Sequence, residues 1–186
     1  RAVLLGGDYS YGYYSIENFL QSNPNIKTFI TNGFYNSTIG AIHSLSMKKN
    51  YNICVKEKNI FKKKIFENLV EKVYSSKIPI FDAFIVGLIE DQEDLFKIIS
   101  ENNFKKIIFI EEQSASLFLN RYKIEEDTIF IDKRPTTKKV ELLVKRLMIK
   151  SIEITALVSH VIPIQDAINA YQLYKKENTT SIVLKP

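Results

Sequence analysis

Three of the chain's six glycines crowd into its opening segment, Gly6-Gly7-Asp8-Tyr9-Ser10-Tyr11-Gly12. Glycines at a turn from strand to helix let backbone amides approach a diphosphate closely, and the helix N-terminus adds favourable potential. That chemistry assigns phosphate contacts to Gly6, Gly7, Ser10, Tyr11 and Gly12. The usual Gly-x-Gly-x-x-Gly spacing is not kept, however. Counting from Gly7, Tyr9 replaces the middle glycine; counting from Gly6, Asp8 and Tyr11 replace the second and third. An Asp8 carboxylate repels phosphate unless it points away. The competing reading is that Gly6, Gly7 and Gly12 only permit a tight connection between strand and helix.

Other strand ends extend the candidate site. The second candidate strand closes on Thr31-Asn32-Gly33, where a dinucleotide site usually carries an acid for the adenosine ribose. Asn32 can still hydrogen-bond a hydroxyl, and no nearby arginine completes a phosphate site, so the choice between NAD and NADP stays open. Val86-Gly87 ends the fourth strand and joins Asn32 and Gly33 in the set. Ile110-Glu111-Glu112 ends the fifth, with two glutamates that cap the next helix or face solvent on the simplest reading. No serine-histidine-acid set, paired-carboxylate motif or Walker loop is found. Cys54, His43 and His160 are the soft metal ligands, in no zinc spacing.

The elements that would position these residues are short apolar runs separated by helical patterns. The candidate strands are Ala2 to Leu5, Thr28 to Thr31, Asn52 to Val55, Asp82 to Val86, Lys106 to Ile110 and Thr128 to Ile131. Alternation of this kind marks βαβ units, and runs as apolar as Ile107-Ile108-Phe109-Ile110 need helices on both faces. The expected fold is therefore α/β, a Rossmann-like parallel sheet of about six strands. Ile65, Phe66, Leu69, Val70 and Val73 repeat at helical spacing, as do Leu95, Ile98 and Ile99, and again Val140, Leu143, Val144 and Leu147. Beyond residue 150 come a run of β-formers from Ile152 to Ile162, a helix opened by Pro163 with an apolar stripe of Ile164, Ala167, Ile168 and Tyr171, and a last strand from Ser181 to Leu184. Residues 1–150 thus read as the nucleotide-binding domain and 151–186 as a strand-helix-strand extension packed with it.

A chain of 186 residues, 45% hydrophobic and 25% charged, can bury a core without disulfides. The net charge of +5 is spread over nearly every helix and mixed with acids, and the densest cluster, Lys62 to Lys64, flanks an amphipathic stripe. A solvated helix face explains it better than nucleic acid does. No run reaches the roughly 20 apolar residues that cross a bilayer. A single cysteine suits a reducing compartment, so a cytoplasmic location is expected.

The segment Leu157-Val158-Ser159-His160-Val161-Ile162-Pro163-Ile164-Gln165-Asp166-Ala167-Ile168-Asn169-Ala170-Tyr171 resembles the C-terminal signature of medium-chain alcohol dehydrogenases. Ser181 to Pro186 resembles that family's closing strand. The resemblance implies an oxidoreductase portion that binds NAD or NADP, with His160 in a structural role. In zinc-dependent members the metal ligands and most substrate contacts come from an N-terminal portion with no counterpart before Arg1. The resemblance therefore implies a fragment without zinc, lacking its N-terminal catalytic portion. Small residues are usual where this chain has Glu111 and Glu112. That departure favours the alternative, a non-catalytic Rossmann-like binding or dimerisation module with a degenerate nucleotide site, forming a homodimer through a sheet edge. Asn32 to Leu45 also resembles effector-binding domains of sugar-responsive repressors, which need a second lobe that is not seen here.

Overall fold

Strands without a polar face can be accommodated only between two layers of helices, and the chain builds that arrangement. The computed structural model describes residues 7–33, 35–48, 50–58, 60–67, 69–74, 79–87, 89, 91–148, 160–174 and 182–185. Six strands, Thr28–Asn32 (β1), Asn52–Lys56 (β2), Lys72–Tyr74 (β3), Ala83–Val86 (β4), Lys106–Phe109 (β5) and Ile129–Ile131 (β6), form one parallel sheet in the order β3-β2-β1-β4-β5-β6. Helices Gly7–Ser22 (α1), Asn36–Ser46 (α2), Ile60–Phe66 (α3), Gln92–Glu101 (α4), Glu112–Arg121 (α5) and Thr137–Met148 (α6) accompany it. The fold is the expected Rossmann-like α/β sheet.

The pleat sends alternate side chains to opposite faces. Phe29, Val55, Ala83, Ile85 and Ile108 meet Ile16 and Phe19 of α1, Ile42 and Leu45 of α2 and Phe66 of α3. On the other face Ile30, Cys54, Phe84, Val86 and Phe109 meet Leu95 and Ile98 of α4 and Phe118 of α5. Leu143 and Leu147 bring α6 against Tyr9 and Tyr13 of α1 and Ile39 of α2. At the amino ends of the strands Asp82 accepts from the backbone of Lys27 and Thr28 (both 3.2 Å), from the Thr28 hydroxyl (2.9 Å) and from Lys105 Nζ (2.6 Å). Lys105 first, and then these hydrogen bonds, hold its carboxyl down at about 2.

Helices α1 and α2 touch backbone to backbone. A Cβ on Gly12 would lie 1.8 Å from the Ser37 carbonyl oxygen, and one on Gly40 2.0 Å from that of Tyr9. Beside this contact the Tyr9 hydroxyl and His43 Nδ1 are 2.7 Å apart, with both residues buried. Burial pushes the His43 imidazole down to about 4. In the tautomer protonated at Nε2, neutral His43 accepts the Tyr9 proton.

Several expectations change. Ala2 to Leu5 and Gly6 lie outside the described residues, and Gly7 opens α1. The helix expected from Ile65 through Val73 stops at Phe66, and Val73 belongs to β3, opposite Val55. Leu69 and Val70 still pack on the core from the intervening turn, so their spacing reports burial rather than helix. The outer edge of β2 leaves backbone groups that need partners, and β3 supplies them. At the far end, residues 151–159 lie outside the described residues. His160–Pro163 (β7) pairs in parallel with Ile182–Lys185 (β8) in a separate two-stranded sheet. Pro163 ends β7 rather than opening a helix; a 3-10 turn, Ile164–Asp166, precedes Ala167–Tyr174 (α7). Of the expected apolar stripe Ile164 is 51%, Ile168 77% and Tyr171 62% exposed, and α7 buries Ala170. Among the described residues no helix is long and apolar enough to cross a membrane.

Two outcomes follow from the contact of α1 with α2. By helix propensity alone Gly12→Ala would stabilise by about 1 kcal/mol. The carbonyl 1.8 Å away reverses the sign, and urea denaturation should show a loss of about 2–3 kcal/mol. The folded pKa of His43, about 4, lies below its ordinary 6.5, so its contribution is full above 6.5 and declines as pH falls toward 4. Stability measured across that range should drop by up to about 3 kcal/mol, and His43→Gln should flatten the drop.

Candidate functional site

The turn after β1 is built by one left-handed residue. Gly33 has φ +67°, and a Cβ there would meet the Tyr35 ring at 2.4 Å. Its amide donates to the Lys56 carbonyl at 3.2 Å, tying the turn to the end of β2. Tyr35 is the extended N-cap of α2. Thr38 Oγ1 accepts from the Tyr35 amide (3.1 Å) and donates to the Tyr35 carbonyl (2.9 Å), closing the first turn on itself. Gly87, the residue after β4, lies beneath that turn, where a Cβ would meet Thr38 Cγ2 at 2.5 Å and Ser37 Oγ at 3.0 Å.

β1 and β4 are neighbours from which the sheet grows in opposite directions, so the crevice beyond their carboxyl ends is the topological switch point. A cavity of about 200 Å³ opens on that side, bounded by Asn32, Gly33 and Tyr35, by Lys56, Glu57, Lys58 and Lys62, and by Ile89, Asp91, Asp94, Leu95 and Ile98. Its wall is apolar toward α4, where Leu95 and Ile98 are buried. Asp91 Oδ1 caps α4 through the amides of Glu93 (2.9 Å) and Asp94 (3.1 Å). Burial lowers the Lys56 ammonium, partly offset by Asp94. Asn32 Oδ1 is buried and has no hydrogen-bond partner. An orphan buried acceptor costs about 1–3 kcal/mol and invites an explanation.

The residues singled out in the sequence fall into two places. Asn32 and Gly33 line the crevice, Gly87 lies under the first turn of α2, and Val86 is buried in the sheet beside it. Ser10, Tyr11 and Gly12 lie within α1 rather than in a turn between strand and helix. Gly12 is taken up by the Ser37 backbone, while Ser10 and Tyr11 border a smaller cavity of about 130 Å³ with Asp8, Arg134, Pro135 and Val140. There the Tyr11 hydroxyl donates to the Asp132 carbonyl at 2.7 Å. Glu111 stands at the N-cap position of α5 without a side-chain cap hydrogen bond, and Glu112 is the helix's exposed first residue. His43, Cys54 and His160 are dispersed, and no group of three or more His, Cys, Asp or Glu among the described residues could hold a metal.

Sequence reasoning missed Tyr35, Lys56, Lys58, Lys62, Asp91 and Asp94. The signal was present. With Thr28–Asn32 taken as the first strand of the sheet, Gly33 and Gly40 bracket the turn into a helix, and Lys56-Glu57-Lys58 becomes the end of the second strand.

No family model matches the chain, and no curated protein matches it in sequence. Solved structures do match. A short chain alcohol dehydrogenase of E. coli CFT073 complexed with NADH superposes at TM-score 0.68 and 12% identity, over 97% of this chain and 58% of that one. S. aureus TarJ in complex with NADPH gives 0.70 and 19%, over 96% and 61%. L-idonate 5-dehydrogenase of E. coli K-12 gives 0.67 and 11%, over 94% and 54%. The chain thus spans less than two thirds of each, and at these identities the likeness is one of fold.

Gly33→Ala tests the turn that shapes the crevice. Placing a side chain in the left-handed region against the Tyr35 ring should cost about 1–3 kcal/mol in urea denaturation. Unchanged stability would mean that the turn does not need its glycine.

Proposed function

We propose that the crevice at the ends of β1, β2 and β4 binds a nicotinamide adenine dinucleotide, NAD or NADP, and that the chain is the cofactor-holding portion of an oxidoreductase similar to the medium-chain dehydrogenases. The observation that carries this reading is the buried, unpartnered Asn32 Oδ1 at the switch point of a Rossmann-like sheet. A ribose hydroxyl is a donor of the right kind for it. Gly33 and the opening amides of α2, which lack partners within the helix, suit a diphosphate. Ile89, Leu95 and Ile98 offer an apolar wall to an adenine ring. Gly87 and Val86, one strand over, border the direction in which a nicotinamide would extend. The solved structures of similar fold include complexes with NADH and with NADPH.

The bound cofactor would supply hydride chemistry. The chain's own residues would hold it: Asn32 orients the ribose, the turn of Gly33 and α2 fixes the diphosphate, and the α4 wall excludes water from the base. Ser10, Tyr11 and Gly12 have no part in this assignment, since α1 carries them elsewhere.

A second reading is supported by Tyr35, whose ring stands against Gly33 where a diphosphate would approach. On that reading the site is degenerate and the chain is a binding or dimerisation module. Light scattering at high concentration tests it, and a strict monomer counts against it.

Titration of the folded chain with NADH and NADPH, followed by nicotinamide fluorescence, should show saturable binding; failure with both removes the cofactor reading. Asn32→Leu should weaken binding by about tenfold, close to the worth of one hydrogen bond, while the unliganded protein keeps or gains stability because the orphan acceptor is gone.

A further inference from the structure

We infer that the crevice selects a 2′-phosphorylated adenosine, so that NADPH is held in preference to NADH, through Lys58 with Lys56 and Lys62. This rests on the nucleotide reading above and adds a selectivity to it. Parallel pairing places Asn32 beside Lys56, so β1 and β2 end at the same level. In a dinucleotide site of this topology the adenosine ribose lies at the end of the second strand. A carboxylate there accepts from the ribose hydroxyls and repels a phosphate.

In this chain β2 ends on Lys56, with Lys58 two residues later and Lys62 in the first turn of α3, and all three border the crevice. The acid in this segment, Glu57, is only 9% exposed and already engaged within the protein, and its amide is held by the Tyr74 carbonyl at 2.8 Å. On the opposite wall the Asp91 carboxylate is committed to capping α4, and Asp94 faces Lys56. Among the described residues neither Lys56 nor Lys58 forms an ion pair. Asp94 offsets the Lys56 ammonium and leaves Lys58 to a dianion. Lys56 is also half-buried, so a phosphate arriving beside it would return some of the stabilisation that burial removed. The sequence alone shows no arginine near Asn32; the fold brings a segment of lysines beside it.

Dissociation constants of the whole chain for NADPH and NADH, with 2′,5′-ADP and 5′-ADP as competitors, test this. NADPH should bind roughly tenfold tighter at low salt, with 2′,5′-ADP the better competitor and the advantage shrinking as ionic strength rises. Lys58→Ala should remove most of the NADPH advantage and lower NADH affinity far less; Lys58→Glu should invert the preference. Because Lys58 is exposed, both variants should keep the parent's circular dichroism and melting temperature. Equal binding of the two cofactors, or tighter NADH, overturns the selectivity and leaves the dinucleotide site standing. Binding of neither overturns the nucleotide reading and this inference with it.

Discussion

Where Gly12 meets the Ser37 carbonyl and Gly40 meets that of Tyr9, α1 and α2 come together without side chains between them, and the geometry above the sheet follows from that contact. It fixes α2 against the helix that precedes β1. It also brings the first turn of α2 down onto Gly87, at the end of β4. The crevice is thus set by backbone packing rather than by its own polar residues, which explains why it keeps its form with an unsatisfied acceptor in its floor. Tyr9 and His43 sit beside the contact as a buried polar pair, and a charge on either would be felt directly by the helix crossing.

The sheet was legible from letters alone because its strands are apolar on both faces. Five of the six strands expected of it reappear, and the amphipathic helices at Leu95 and Leu143 stand where their spacing puts them. What the letters could not supply was strand order. An early cluster of glycines looked like the start of the nucleotide fold, but α1 occupies those residues from Gly7 onward, and among the described residues the sheet runs in the order β3-β2-β1-β4-β5-β6. The same shift of one strand puts Lys56, beside Asn32, at the end of the second strand. Val73 was misread for a related reason: periodicity records which side chains are buried, and a turn followed by a strand can bury the same positions as a helix. The stripe on α7 shows the converse, a helical pattern whose large apolar side chains Ile168 and Tyr171 stay mostly exposed.

Charge is divided across the crevice rather than pooled. Lysines stand on the side of β2 and α3, while Asp91 and Asp94 stand on α4, one of them bound up in a helix cap. A neutral pocket of this size would show no strong preference for an anion. A divided one can orient a molecule that is anionic at one end and apolar at the other, because the charged end has a single favourable direction. Asp82 ties together the opposite, amino ends of the strands through hydrogen bonds from Lys27, Thr28 and Lys105.

The sheet is bounded on either side by strands of only three residues, β3 and β6. An open border of that length offers few unpaired amides to a foreign chain, and on β3 Lys72 lies over the ring of Tyr74, placing a cation on the rim. Brevity at both margins therefore disfavours edge-to-edge pairing of one sheet with another.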